Sequence, residues 1–154
     1  MSSSLNSINF FLSILLAISM IHAREGPSHP RFKYDVHIIN GCESGIVRPI
    51  SGTCRSPTRE IGTFDLPHLW DEYHWSFKLN RRSQHVYRCH VARGFGQQRT
   101  FMAFDQQDDT KDNRCGRTGM CWWKITEVGI YFGNNNATWT KAYNWENSTN
   151  VIVS

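Results

Sequence analysis

The chain has 154 residues, of which 40% are hydrophobic and 19% charged, with a formal net charge of +4 and a pI near 8.9. This length suits one domain with a moderate core, and nothing in it indicates a second domain. The basic residues are scattered, which is typical of a solvated surface. The same charge would also suit an acidic cell-wall polymer, an anionic membrane or nucleic acid.

The first 23 residues predict a secretory signal peptide. They contain no Asp, Glu, Lys or Arg, and Ile8 to Ile21 form an apolar run that ends shortly before Ala23 and the charged Arg24. The run is shorter than the roughly 18 to 20 apolar residues of a membrane-spanning helix. We therefore expect cleavage after Ala23, a mature domain over residues 24–154, and a secreted, extracellular protein without membrane insertion.

The segments after the signal predict strands. In YDVHIIN (residues 34–40) apolar residues mostly alternate with polar ones, which is the period of a half-buried strand. Turn-forming residues separate this segment from later ones of similar length. The fold predicted is an all-β antiparallel sandwich of about seven to eight strands in two sheets, with at most a short helical turn at Pro67 to Asp71. The other predicted strands are residues 73–79, 85–92, 100–104, 121–127 with 128–132, and 138–145.

Two polar segments between predicted strands are candidates for recognition. The stretch from Gln106 to Arg114 (the 106–114 loop) is the most polar part of the chain, and Gly94 to Arg99 (the 94–99 segment) is rich in Gly and Gln. Loops on a rigid sandwich usually carry its binding residues. We expect these two segments to contact a protein partner.

Five cysteines follow the signal: Cys42, Cys54, Cys89, Cys115 and Cys121. An oxidising compartment favours disulfides, and the odd number leaves one thiol free or bonded to another chain. Zinc sites usually show two close Cys or His pairs, whereas here only the last two cysteines are close. No sequence signature indicates a catalytic thiol, so we expect no metal, cofactor or catalytic residues.

Short motifs across the chain resemble the plant self-incompatibility S-protein family, also called S-protein homologues. The similarity extends from about Tyr34 to Trp145. It is carried, in order, by VHIIN (36–40), GTCRS (52–56), EIG (60–62), WSFKLN (75–80), VYRCHV (86–91), FMAFD (101–105), Cys115, CWWKI (121–125), GIYF (129–132) and YNW (143–145).

The resemblance implies a small secreted β-sandwich with two disulfides that acts as an extracellular signal and not as an enzyme. The best-known members of that family are pistil ligands that trigger rejection of self pollen. The family's four cysteines correspond to Cys54, Cys89, Cys115 and Cys121, and the resemblance suggests pairs Cys89–Cys115 and Cys54–Cys121, although four cysteines allow three pairings.

Cys42 departs from the family pattern, which usually has an aliphatic residue at this place. It is therefore the expected odd thiol. The protein is predicted to be a monomer, or a dimer linked by a disulfide through Cys42.

Two N-glycosylation sequons accompany the secretory prediction. They are NAT at Asn136 and NST at Asn147, and both lie near predicted turns or the end of the chain. We expect glycans at these positions.

Two other function classes compete with the signalling ligand. A carbohydrate-binding module would stack sugars on exposed aromatic rings, for which Trp70, Trp122, Trp139 and Trp145 are candidates. A small nuclease would need paired histidines, and the strands contain His37, His74, His85 and His90. We favour a ligand that binds a cell-surface receptor, and we expect no nucleic-acid partner.

Overall fold

The structure is a computed structural model that describes residues 33–43, 49–80, 82–94 and 96–147. The predicted signal peptide lies outside the described residues. Within them the chain forms ten strands and one short helix. The strands are β1 (Lys33–Asn40), β2 (Ile50–Arg55), β3 (Glu60–Leu66), β4 (Glu72–Lys78), β5 (Val86–Arg93), β6 (Gln97–Asp105), β7 (Met120–Thr126), β8 (Gly129–Gly133), β9 (Thr140–Tyr143) and β10 (Glu146–Asn147); the helix, α1, is Gln106–Asp109.

The strands form two five-stranded sheets. Sheet 1 has the order β4-β1-β7-β8-β9, and sheet 2 has the order β10-β6-β5-β2-β3. The predicted sandwich is confirmed. The prediction of purely antiparallel sheets is wrong at one place, because β1 and β7 run parallel, with Val36 opposite Cys121 and Ile38 opposite Trp123.

Aromatic side chains from both sheets pack into one core. Trp123 of β7 is 1% exposed, and its ring centroid lies 4.8 Å from that of Phe101 in sheet 2. Its indole Nε1 donates a hydrogen bond of 2.9 Å to the Ala103 carbonyl oxygen, which satisfies a polar group that would be costly to bury unpaired. Because adjacent strand residues face opposite ways, Trp122 lies on the outer face of sheet 1. Adjacent tryptophans in a predicted strand indicate that one of them fills the core, and in the structure this residue is Trp123.

The sequence prediction missed strands β2 and β3. Each contains a glycine, a residue depleted in strands. Both glycines make room for aromatic rings. A Cβ on Gly52 would lie 2.4 Å from Cζ of Phe64, and one on Gly62 would lie 2.4 Å from the Tyr73 hydroxyl oxygen. Two residues that weaken a strand locally therefore allow close packing of the core.

The disulfide pairing suggested by the resemblance is wrong. The structure bonds Cys54 to Cys89 and Cys115 to Cys121. Cys54 and Cys89 are directly opposite each other on the neighbouring strands β2 and β5, with Cα atoms 4.1 Å apart. Cys121 is in sheet 1, six positions after its partner Cys115. The first bridge joins two neighbouring strands and the second closes the turn that leads into β7.

Substitution of Gly52 by Ala is expected to destabilise the fold by about 1 to 3 kcal/mol, because the new methyl group overlaps the Phe64 ring and the His90 carbonyl oxygen. Urea unfolding with both disulfides intact measures the change. Ser51→Ala, at an exposed neighbouring position, is the control and should stay within about 0.5 kcal/mol of the wild type. Equal stabilities for the two variants would contradict the packing described here.

Candidate functional site

The two segments expected to contact a partner lie at opposite ends of β6. The 94–99 segment leads into this strand and the 106–114 loop follows it. The nine residues of β6 span about 26 Å at roughly 3.3 Å for each residue step. Gln97 to Arg99 belong to the strand itself and not to a loop, and β10 pairs with Gln97 and Gln98. The two segments therefore do not form one contact surface.

The 106–114 loop is less exposed than its polarity predicts, because it folds around a buried carboxylate. Asp109 is 1% exposed. Its Oδ2 accepts the Asp105 backbone N–H at 2.7 Å, and its Oδ1 accepts from Nε and Nη2 of Arg114 at 2.9 and 2.8 Å. Burial raises the pKa of Asp109, and these hydrogen bonds and the Arg114 charge partly offset that rise.

Arg114 and the second disulfide fix this loop to the sandwich. The Arg114 guanidinium carbon lies 3.7 Å from the ring centroid of Phe132 in β8, and the next residue is the bridged Cys115. The residues left at the surface are polar: Gln107, Asp108, Lys111, Asp112 and Asn113. The loop is therefore a fixed polar surface with charges of both signs.

Asp109 also lies close to the sulfur atoms of Cys115 and Cys121, in a group whose ligand atoms are within 4.8 Å of one another. Both sulfurs are bonded in the disulfide, so they offer no thiolate to a metal ion. The group acts as a structural clamp.

A different exposed feature lies at the end of sheet 1 where β1 finishes. The sequence allowed a short helical turn at Pro67 to Asp71, but residues 68–71 (the 68–71 turn) form a non-helical turn in which Trp70 has a φ of +69°. The Trp70 N–H donates to the Asn40 carbonyl at 2.7 Å, and the Asn40 N–H donates to the Asp71 carbonyl at 2.9 Å. The His68 N–H donates to Asp71 Oδ2 at 2.7 Å. These bonds tie the turn to the last residue of β1.

The 68–71 turn presents apolar side chains to solvent. Trp70 is 56% exposed and Leu69 is 42% exposed. A positive φ is a strained conformation for a bulky residue and persists only when its surroundings enforce it. Asn40 supplies part of that enforcement: it is buried, its Nδ2 donates to the Leu66 carbonyl, and its Oδ1 accepts the Cys42 N–H. The sequence indicated a turn between Pro67 and Asp71 and made Trp70 a candidate binding residue, but it did not indicate the positive φ of Trp70.

Cys42 lies two residues after the end of β1, close to Asn40. It is a free, half-buried thiol whose Sγ lies 3.8 Å from the Ile125 carbonyl oxygen and 3.8 Å from Nη1 of Arg93. Burial and the nearby Glu127 raise its pKa, and Arg93 partly offsets the rise. Because Arg93 ends β5, the turn between β5 and β6 lies at this end of the molecule too. The dimer linked through Cys42 stays a prediction.

The four candidate tryptophans differ in environment. Trp145 is half-buried and donates from Nε1 to the Thr126 carbonyl at 2.9 Å, and the Trp139 ring lies under the Lys124 ammonium at 4.6 Å. Trp122 stacks on His37 with ring centroids 3.8 Å apart. Trp70 is thus the candidate whose ring is mainly free for a ligand.

The four candidate histidines separate into two groups. His37 and His74 are opposite each other on β1 and β4, and both lie beside the Glu72 carboxylate. His90 is in sheet 2 and shares a hydrogen bond of 3.1 Å with the Thr100 hydroxyl. His85 lies beside the Phe77 ring. Strand pairing therefore unites two of the four on the outer face of sheet 1.

The two sequon asparagines are exposed. Asn136 lies between β8 and β9, and Asn147 ends β10 opposite Gln97. A glycan at either position stays a prediction. A glycan at Asn147 would lie beside the start of β6.

A sequence model of the family described as "Plant self-incompatibility protein S1" matches residues 35–145. The chain belongs to this family. The match includes all five cysteines, the 68–71 turn and the 106–114 loop. No curated protein and no solved structure gave a significant match to the chain.

Membership of the S1 family sets the broad functional class. The family is a non-catalytic, signalling-type family whose members are typically extracellular. In the part of the S1-family chain that the structure describes, no helix has the length and apolarity needed to cross a membrane.

In this S1-family protein, Asp109→Ala is expected to lower the free energy of unfolding by about 2 to 4 kcal/mol, because it leaves the Asp105 N–H and the Arg114 guanidinium without their shared acceptor. Thermal and urea unfolding measure the loss. Asp108→Ala removes only an exposed carboxylate paired with Lys111 and should lower the free energy of unfolding far less than Asp109→Ala does. A larger loss for Asp108→Ala than for Asp109→Ala would contradict the stabilising role of the buried Asp109 carboxylate.

Cys42 should react slowly with iodoacetamide in the folded protein. Its raised pKa leaves less thiolate than an unfolded thiol has at the same pH, so the labelling rate should keep rising at alkaline pH after the unfolded reference has levelled off. Mass spectrometry of protein with intact disulfides, folded or in urea, gives both rates. Arg93→Gln removes a charge that favours the thiolate and should slow labelling further. Equal folded and unfolded rates at every pH would contradict the buried thiol.

Proposed function

We propose that this S1-family protein is a secreted signalling ligand that binds a cell-surface receptor, in pollen–pistil self-incompatibility or in another form of cell–cell signalling. Three observations support the proposal: the family match, the predicted signal peptide, and two disulfides, which are typical of proteins from oxidising compartments. The described domain supplies a rigid scaffold on which a few exposed residues are held in place.

The observation that carries the proposal is the exposed pair Leu69 and Trp70. Interface energy is concentrated in a few residues, among which Trp is enriched. The backbone hydrogen bonds to Asn40 already order the main chain at Trp70, so binding needs to order only its side chain, and this saves part of the usual free-energy cost. The backbone at Trp70 keeps its strained positive φ, although the Trp70 side chain is mainly exposed and contributes little to the core. We infer that Trp70 is the anchor of the receptor contact.

The turn between β5 and β6 lies at the same end and is a candidate for the edge of this contact. The predicted glycan at Asn147 would stand close to it, since Asn147 pairs with Gln97. The centre of the contact is therefore assigned to the 68–71 turn. The 106–114 loop lies at the opposite end and supplies the comparison that tests this assignment.

Trp70→Gly separates binding from folding. Glycine adopts a positive φ without strain, so the variant removes the indole while keeping the turn. Labelled mature protein is titrated onto plant plasma-membrane vesicles, with protease-treated vesicles as the reference for receptor-independent binding. Wild-type binding should saturate and be lost after protease treatment, and Trp70→Gly should raise Kd at least about tenfold.

The matched control is the double variant Lys111→Ala and Asp112→Ala, which changes exposed residues of the 106–114 loop and should leave Kd unchanged. Loss of binding by the control together with normal binding by Trp70→Gly would place the contact at the other end. Wild-type binding that never saturates, or that survives protease treatment, would defeat the receptor proposal itself.

Carbohydrate binding is the second candidate function, because one exposed tryptophan suits stacking on a sugar ring. Cell-wall oligosaccharides should then change the tryptophan fluorescence of the wild type but not of Trp70→Gly. Binding that survives protease treatment and is displaced by these oligosaccharides would favour this function over the receptor ligand.

A further inference from the structure

Three ligand-type side chains meet on the outer face of sheet 1, in β1 and in the part of β4 that directly follows the 68–71 turn. They are His37 of β1 and Glu72 and His74 of β4. His37 and His74 are directly opposite in the antiparallel register, while Glu72 is opposite Ile39. Glu72 therefore approaches His37 diagonally, within the reach of a long side chain.

The two imidazoles converge on the same carboxylate oxygen. His37 Nδ1 is in hydrogen-bond contact with Glu72 Oε1, and His74 Nδ1 lies 3.6 Å from that oxygen. The three ligand atoms all lie within 4.8 Å of one another. Zinc ligands at about 2.0 to 2.2 Å from the metal are about 3.3 Å apart in a tetrahedral site, so small side-chain rotations would bring the three atoms to that spacing.

Stacking fixes the His37 ring within this group. The ring is nearly parallel to Trp122, with centroids 3.8 Å apart at 11°, and its centroid lies 5.6 Å from that of His74. Nε2 of His37 is buried and has no hydrogen-bond partner among the described residues. The stack thus orients the imidazole, a role that an outer hydrogen bond usually has in metal sites.

The charge of the group suits a divalent cation. With neutral imidazoles it carries the single negative charge of Glu72, and in the described part of the chain its ion-pair partners are these two histidines. On the same face Lys33 pairs with Asp35 at 3.3 Å, and the Lys124 ammonium lies over the Trp139 ring. The His74 side chain is 62% exposed and that of Glu72 is 34% exposed, which leaves the outer side open to water as a further ligand.

We propose that His37, Glu72 and His74 bind a divalent transition-metal ion of the zinc class. Two imidazoles and a carboxylate are a ligand set that zinc sites use when a further coordination position stays open. No sequence pattern indicated this group, because the cysteine spacing argued against zinc and the two histidines, far apart along the chain, meet only through strand pairing.

The direct test is calorimetric titration of the purified, fully oxidised protein, without a histidine tag, with Zn²⁺. One ion per chain should bind at about pH 7. His74→Asn and Glu72→Gln should each weaken binding at least about tenfold, since even the loss of an outer-shell partner costs about 10- to 100-fold.

His90→Asn is the control, because it removes a histidine of sheet 2 and should leave the affinity unchanged. A second readout is the thermal midpoint: Zn²⁺ should raise it for the wild type and His90→Asn but not for His74→Asn. In the presence of a chelator His74→Asn should match the wild type, since its side chain is mainly exposed. Absence of stoichiometric Zn²⁺ binding, or equal affinity in all four proteins, would overturn the proposal.

Discussion

The pairing of β1 with a neighbour on each side is the constraint on which the candidate surfaces depend. This strand is bonded antiparallel to β4 and parallel to β7, and its inward residues Tyr34, Val36 and Ile38 are buried. A shift of one residue would move them out of the core, so the register is strongly specified. That register places His37 beside His74 and Trp122, and it places Asn40 where it ties down the 68–71 turn. The core and the two surfaces therefore follow from the same strand.

The sequence predicted the strands that alternate clearly and are bounded by turn residues, such as β1, β4 and β7. It missed β2 and β3 because Gly52 and Gly62 lower the local preference for a strand. These glycines leave space for the rings of Phe64 and Tyr73, which belong to other strands, and the local sequence does not show this. Parallel pairing of β1 with β7 is a contact between distant parts of the chain, which local patterns do not encode. The disulfide pairs also depended on register, which sets Cys54 opposite Cys89.

The candidate sites, like the strands, were predictable from the sequence only in part. The residue types were visible in the sequence, since Trp70, His37 and His74 were all candidates. Their relations were not visible: exposure of Trp70 depends on a turn fixed by Asn40, and the His–Glu group depends on a diagonal contact across two strands. The polarity of the 106–114 loop predicted more exposure than the structure shows, because the Asp109 carboxylate is buried in an ion pair with Arg114. Exposure at a surface thus depends on tertiary contacts that composition does not report.

The parallel register of β1 and β7 is tested most directly by interstrand nuclear Overhauser effects in the isotope-labelled, oxidised protein. The account predicts cross-peaks that connect Val36 with Cys121 and Ile38 with Trp123, in the order of a parallel pair. Cross-peaks shifted by one residue, or in the order of an antiparallel pair, would contradict it. Such a result would separate His37 from Trp122, and the proposed metal group would lose the stacking that orients its imidazole.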